Sequence, residues 1–377
     1  MTDKEILFLA DPKNMHTKKL LQEMKSYYNG KTFSILNGGK YFKDDKIIYE
    51  RKNYTSRNKF LKFIETNKLI NKIKSENIEL IHIHFLSPSY FFYKKLFKNT
   101  KVIITFWGSD LYRIPTSSRL KKYLQKQVIK QADIITVVQE KMVKDFHEIF
   151  GFENKPIYVT RFGSPIDFML IDKIDEKKEK EFKEKYKVPE DDIVLTLGYS
   201  SDPNKNHEYM INEIMILNKN KKNLFIFIPM TYGNNEHREK IKKYCQEILQ
   251  KNNIRYVILQ DYMNDQEVAI LRKITDIMVN VQDTDAFSAS MQESLYAGGI
   301  VINGSWLNYD ELSKKGAYYE TISELKPGAL SSKIEYIIDN LKELKEKAKI
   351  NKEIIRNIND FDMREEWVKV YNKVLEA

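Results

Sequence analysis

Residues 283–302 read DTDAFSASMQESLYAGGIVI, and their spacing is the most informative in the chain. An acid, Asp285, precedes a turn-like run of mostly small residues, Ala286-Phe287-Ser288-Ala289-Ser290. A helix is predicted next, with Glu293 in its first turn and Ala297-Gly298-Gly299 at its end. Ser288 or Ser290 suits the N-cap, and Gly298 or Gly299 the C-cap before the next strand. The first N–H groups of such a helix lack intrahelical partners, and small side chains leave them open to an anion. Carboxylates are poor phosphate ligands but good acceptors for sugar hydroxyls. Asp285 and Glu293, eight residues apart, therefore suit a nucleotide-sugar: diphosphate on the helix, one carboxylate on the ribose, the other on the hexose. The plainer alternative makes Asp285 a solvated loop acid and Glu293 an ordinary helix-dipole glutamate.

Such a segment must hang on a sheet. In the first half, residues 5–10, 31–36, 80–84, 102–105, 134–138 and 157–160 read as strands, and 18–28, 57–75, 118–132 and 141–150 as helices. In the second half the strands are 193–197, 224–228, 256–259, 277–281 and 300–302, with helices at 207–218, 235–252, 265–275 and 291–297. Short apolar strands alternating with helices predict an α/β fold with parallel sheets covered on both faces. The pattern occurs twice, as expected for roughly 100–200 residues per domain. The expected division is 1–165, 166–350 and a C-terminal helix within 351–377 able to pack back on the first domain. Two such domains would face each other across a ligand-binding cleft.

The segment around Asp285 and Glu293 resembles the glutamate-x7-glutamate motif of GT-B glycosyltransferases, particularly the retaining, GT4-like enzymes of group 1. Upstream, Asp261-Tyr262-Met263-Asn264 through Asp276-Ile277 resembles that family's nucleobase loop, helix and following strand. Gly198-Tyr199 through Lys205-Asn206-His207 resembles the loop after the first donor-domain strand, and residues 163–167 the entry to the interdomain linker. Trp107-Gly108-Ser109-Asp110-Leu111-Tyr112 resembles the acceptor-domain loop facing the donor sugar. Order and spacing agree across roughly residues 80–310. WGSDLY, the 200–207 loop and the run from Ile228 through Tyr232-Gly233 to Asn235 also resemble the fucosamine (Fuc4NAc) transferase family.

The resemblance implies a GT-B fold and sugar transfer with retention from a nucleoside diphosphate sugar, UDP- or dTDP-linked. It implies that Glu293 holds the ribose and Asp285 the sugar, with Asp110 among the reacting groups. Lys205 and the N–H groups around Ser288, Ala289 and Ser290 would stabilise the departing diphosphate. Gly198, Tyr199, Tyr232, Tyr262 and Met263 would line the nucleotide, and Trp107 and Gly108 the sugar or acceptor. Three departures matter: Asp285 is one methylene shorter than glutamate, Lys205 replaces the usual arginine, and Trp107 replaces a histidine. An indole edge at that position favours a donor with an apolar 6-position. No metal cofactor is expected: Asp283-Thr284-Asp285 and Asp360-Phe361-Asp362 match a D-x-D signature that is common by chance, and no His/Cys cluster accompanies them.

Composition narrows the remaining choices. Residues 1–170 carry a net charge of +14 and the remainder −4. A basic half attracts phosphates. It contains a cationic amphipathic stretch at 57–74 and a run, PSYFFYKKLFKNTK, that sets aromatics beside lysines. Both suit an anionic membrane surface and a lipid-linked or glycan acceptor, or are simply a solvated, lysine-rich face. With one cysteine, Cys245, no internal disulfide is possible. The N-terminus lacks a basic start and a long apolar core, and no window approaches the ~20 apolar residues of a membrane span. A cytoplasmic or peripheral cell-envelope enzyme is expected, with no nucleic-acid motif present. A sugar-nucleotide epimerase and a non-catalytic transferase-like partner are the competing readings.

Overall fold

The computed structural model describes residues 4–52, 59–162, 167–217 and 223–376. By its internal contacts the chain divides into two compact units, Met1–Gly163 with Phe361–Ala377, and Ser164–Asp360. The 163–166 part of the linker motif and residues 57 and 58 of the cationic stretch lie outside the described residues.

Among its described residues the first unit holds eight strands: β1 (Glu5–Leu9), β2 (Thr32–Asn37), β3 (Lys40–Lys43), β4 (Lys46–Glu50), β5 (Ile78–His84), β6 (Lys101–Thr105), β7 (Ile134–Val137) and β8 (Ile157–Val159). They form one sheet in the order β4-β3-β2-β1-β5-β6-β7-β8. The pairs from β2 to β8 are parallel, and β3 and β4 extend the β2 edge as an antiparallel hairpin. Neither β3 nor β4 was expected. Their turn, Asp44-Asp45, has both residues at positive φ, the mirror-image geometry that matches strand twist in two-residue hairpins. β4 is largely exposed, and its apolar residues, Ile47-Ile48-Tyr49, stand between Lys46 and Glu50.

The second unit has β9 (Ile193–Leu197), β10 (Leu224–Pro229), β11 (Arg255–Leu259), β12 (Ile277–Asn280), β13 (Ile300–Gly304) and β14 (Glu320–Ile322). All six are parallel, in the order β11-β10-β9-β12-β13-β14. The strand order reverses between β9 and β12, where the crossing helices leave toward opposite faces and open a crevice at the carboxyl ends. The equivalent reversal in the first unit lies between β1 and β5. Two aspartates preceding strands repeat one device: Asp133 accepts from Val102 N–H at 2.7 Å and Asp276 from Val194 N–H at 2.9 Å. Each ties the amino end of a strand to its neighbour.

Apolar cores cover both faces of the second sheet. Residues 351–377 form no single element: Ile350–Asn359 packs in the second unit and Met363–Leu375 in the first. In the latter helix Trp367 and Tyr371 are wholly buried against Ile6, Phe8 and Leu80. The Trp367 indole donates to Arg161 O at 3.1 Å, and Tyr371 hydroxyl shares a 2.6 Å hydrogen bond with His82 Nδ1. Trp367→Ala should therefore destabilise the first unit by about 3–5 kcal/mol, the usual loss for a buried large aromatic, measured as a lower urea midpoint.

Candidate functional site

At the carboxyl ends of β9 and β12 the chain makes a polar cluster. Gly198 leaves β9 at φ +66°, and a Cβ there would come within 3.2 Å of His207 Nε2. That left-handed turn sends Tyr199 and the short 3-10 turn Pro203–Lys205 back over the strand ends. The Lys205 side chain is 5% exposed. Its ammonium lies 3.6 Å from the centroid of the Tyr199 ring and donates to Gln282 Oε1, in the loop after β12. The Gln282 amide in turn donates to the Tyr199 hydroxyl at 3.0 Å. Ring quadrupole and amide oxygen together offset the cost of burying the charge.

Asp285, half-buried, completes the cluster. Burial pushes its carboxyl above the ordinary aspartate range, while the Lys205 charge and a hydrogen bond from the Tyr309 hydroxyl oppose that rise. Tyr309 also accepts from Asn280 Nδ2 at 3.0 Å, and the same amide donates to Asn303 Oδ1 at 2.8 Å. A buried chain thus runs from the ends of β12 and β13 to the acid. Sequence reasoning missed Gln282, Tyr309, Asn280 and Asn303. Only the tandem positions of Asn280 and Asn303, each near the end of an apolar strand, could have marked two of them.

The helix after Asp285 is Ala289–Tyr296, capped by Ser288, whose hydroxyl accepts from Met291 N–H at 3.3 Å. Ser288 is buried, whereas Ala289 and Ser290 are half-buried and project no long side chain over the helix start. Glu293 departs from the expected open hydroxyl acceptor. It is 3% exposed, and its Oε2 accepts from Arg272 Nε at 3.1 Å. Glu293 is the fifth residue of its helix, past the first turn where it was expected, and the helix Asp265–Ile274 supplies that arginine, so Glu293 is oriented and charge-compensated from within the protein. Removing one member of such a pair leaves the other buried and uncompensated.

The flanking loops are stitched to this cluster. Ser201 N–H and hydroxyl both reach Tyr232 O at 2.8 Å, and Gly233, at φ +108°, leaves room for Ser201 and Asp202 where a Cβ would collide. The Tyr232 side chain is mostly exposed. Met263 packs on the same core face as Tyr199, while Tyr262 is 79% exposed. Asp283 accepts from Asn206 Nδ2 at 2.9 Å, and Asp362 caps the last helix through Glu365 N–H. Among the described residues no three His, Cys, Asp or Glu side chains stand close enough to hold a metal ion.

In the first unit, Asp110 requires a correction. Its carboxylate is 0% exposed and accepts from Leu86 N–H at 2.8 Å, Trp107 N–H at 2.9 Å and Gly108 N–H at 3.1 Å. Gln125 locks the same corner by donating to Leu86 O and Asp110 O. Asp110 therefore braces the loops after β5 and β6 and presents no free oxygen for a reacting group. Burial pushes its carboxyl up to about 6 even against these donors. Gly108, at φ +121°, turns the chain beneath them. Trp107 stacks on Phe162 at 4.9 Å and meets His16 edge-on at 5.2 Å, so its indole belongs to an aromatic wall that includes His84. His82 is satisfied by Tyr371 and Thr105, whereas burial lowers His84 to about 3 and holds it neutral.

Two substitutions test these assignments. Tyr309→Phe removes the donor that opposes the rise of Asp285, so the Asp285 carboxyl should titrate at still higher pH, seen by carbon-detected NMR of labelled aspartates. Asp110→Ala strands three backbone donors and should destabilise the first unit by about 3 kcal/mol or more in urea unfolding; an unchanged midpoint would restore Asp110 as a free group.

Family models match both units: "Glycosyl transferase 4-like" over residues 5–139 and "Glycosyl transferases group 1" over residues 177–355. A search of curated proteins finds no match. Among solved structures, a glycosyltransferase from Rickettsia africae is 18% identical with a TM-score of 0.72, covering 99% of each chain. Anabaena HepE, solved with UDP and glucose, is 12% identical with a TM-score of 0.72, covering 99% of this chain and 100% of its own. Sucrose-phosphate synthase from Thermosynechococcus elongatus is 12% identical with a TM-score of 0.74 over 99% of each chain. Two parallel-sheet units, a polar cluster at the strand-order reversal and these matches make the chain a glycosyltransferase of the GT-B fold, a GT4-like member of group 1.

Proposed function

We propose that this glycosyltransferase takes its sugar from a nucleoside diphosphate sugar, UDP- or dTDP-linked, and transfers it with retention to a glycan or lipid-linked acceptor. The observation that carries the reading is the convergence of Lys205, the open start of the helix Ala289–Tyr296 and Asp285 at one sheet's strand-order reversal. A buried ammonium and the N–H groups of Ala289 and Ser290 suit the charge that develops on a departing diphosphate. Asp285, steered by Tyr309, suits a hydroxyl of the transferred sugar. Glu293 orients the ribose from its ion-paired position. The bound UDP and glucose reported for Anabaena HepE support this choice of donor.

On this reading the protein needs no metal, because Lys205 and the helix start supply the positive potential. Retention follows if the leaving oxygen takes the acceptor proton on the face it departs from, with the protein contributing position and charge rather than a nucleophile. A role in bacterial surface polysaccharide synthesis, with a fucosamine-like donor, accords with the resemblance of the 200–207 loop. No helix among the described residues is long and apolar enough to cross a membrane, which agrees with action on the cytoplasmic side or at the membrane surface.

A panel of nucleoside diphosphates tests the proposal. UDP or dTDP at a hundred times its Kd should add about 2.7 kcal/mol of apparent stability, read as a raised melting temperature. Lys205→Gln should keep the fold and lower kcat/KM about 100-fold, measured by nucleotide release. No stabilisation by any nucleoside diphosphate, or an unchanged kcat/KM, defeats it.

A further inference from the structure

The first unit has a cavity of about 540 Å³ at the carboxyl-end edge of its sheet, a size typical of small-molecule sites. It lies where the turn after β2 meets the helix Lys59–Lys74 and the 3-10 turn Pro88–Tyr93 that follows β5. Leu36, Tyr90, Phe63 and Phe92 give it an apolar and aromatic wall. Phe63 and Phe92 are 56% and 57% exposed, so the wall runs out to the protein surface. The charged side chains among its lining residues are Arg51 and Lys62, both cationic.

Arg51 is built into this cavity. Its backbone N–H donates to Gly39 O at 2.9 Å, and one guanidinium nitrogen donates to Thr66 Oγ1 at 3.1 Å. Thr66 in turn donates to Lys62 O at 2.8 Å, which fixes the hydroxyl's lone pairs toward the arginine. Gly39, at φ +92°, lets the backbone approach so closely that a Cβ would stand 3.0 Å from Arg51 Nε. That Nε is buried and has no hydrogen-bond partner among the described residues. A buried, unpartnered guanidinium donor in a cationic cavity is built for an anionic oxygen.

We propose that this cavity binds a lipid phosphate, a hydrocarbon chain ending in a phosphate ester: Arg51 and Lys62 take the phosphate and the Phe63–Phe92 wall takes the chain. Two cations with no carboxylate among the lining residues match a dianion better than a single carboxylate. An aromatic wall open to solvent matches an acyl or isoprenoid chain better than a sugar. Only the further step, that this amphiphile is the acceptor, rests on the transfer proposed above.

Calorimetric titration of the full chain with dodecyl phosphate, below its micelle concentration and without nucleotide, tests the site independently of transfer. Saturable one-to-one binding is expected, at least ten-fold tighter than dodecanoate, with dodecyl maltoside and inorganic phosphate weaker still. Arg51→Gln should weaken it at least ten-fold. Gly39→Ala should do so as well while keeping every charge, because the added methyl displaces the guanidinium. If either variant loses its fold by circular dichroism, Phe92→Ser, at an exposed position, takes its place with the same expected loss. Equal binding of dodecyl maltoside, or dodecyl phosphate affinity unchanged in the folded variants, overturns the proposal. Loss of nucleotide binding with intact dodecyl phosphate binding would count against the donor reading alone.

Discussion

A lysine ammonium held almost out of solvent at the ends of β9 and β12 constrains everything around it. Burial of such a charge is costly unless the protein surrounds it with compensating groups. Here they are the face of Tyr199, the Gln282 amide oxygen and the nearby Asp285 carboxylate. Tyr199 and Lys205 follow β9, while Gln282 and Asp285 follow β12, so the compensation exists only because these strands are neighbours. The positive φ of Gly198 turns one loop inward, and Tyr309 and Asn280 anchor the other. The cluster is therefore charged and braced by the protein's own groups, which suits the proposed stabilisation of a leaving diphosphate.

The two units use the same device at the same end of their sheets. In each, loops at the carboxyl ends are held by buried polar side chains bonded to backbone or to one another. In the first unit Asp110 gathers three N–H groups and Gln125 two carbonyls. In the second, Asn303, Asn280 and Tyr309 lead to Asp285, and Arg272 supports Glu293 from below. Loops have few apolar residues to bury, so hydrogen bonds in a low-dielectric setting supply their rigidity. Acids in such loops fall into two roles that look alike in a sequence: Asp285 stays half-buried at the strand ends, and Asp110 is wholly buried against backbone N–H groups.

The parallel strands other than the short edge strand β14 were legible because strands buried on both faces leave continuous apolar runs, as in Ile6–Leu9 and Val301–Ile302. The hairpin of β3 and β4 was not, because β3 sets its aromatics between lysines, the three apolar residues of β4 stand between charges, and the two-aspartate turn resembles an ordinary polar loop. The helix at Ala289 was legible from its serine cap and glycine end. Its partner Arg272 was hidden among many basic residues, twenty-one positions away.

By itself the sequence determined the twofold α/β pattern, the small-residue helix start after Asp285 and the position of Lys205 beyond a strand-ending glycine. These follow from local rules of periodicity, capping and turn conformation acting over a few residues. Tertiary structure alone decided that Asp110 is a brace, that Glu293 is ion-paired, that Tyr309 steers Asp285 and that Arg51 sits in an apolar cavity. Each of those depends on the burial and partners of a side chain, which are set by segments far apart in the chain and brought together by strand order.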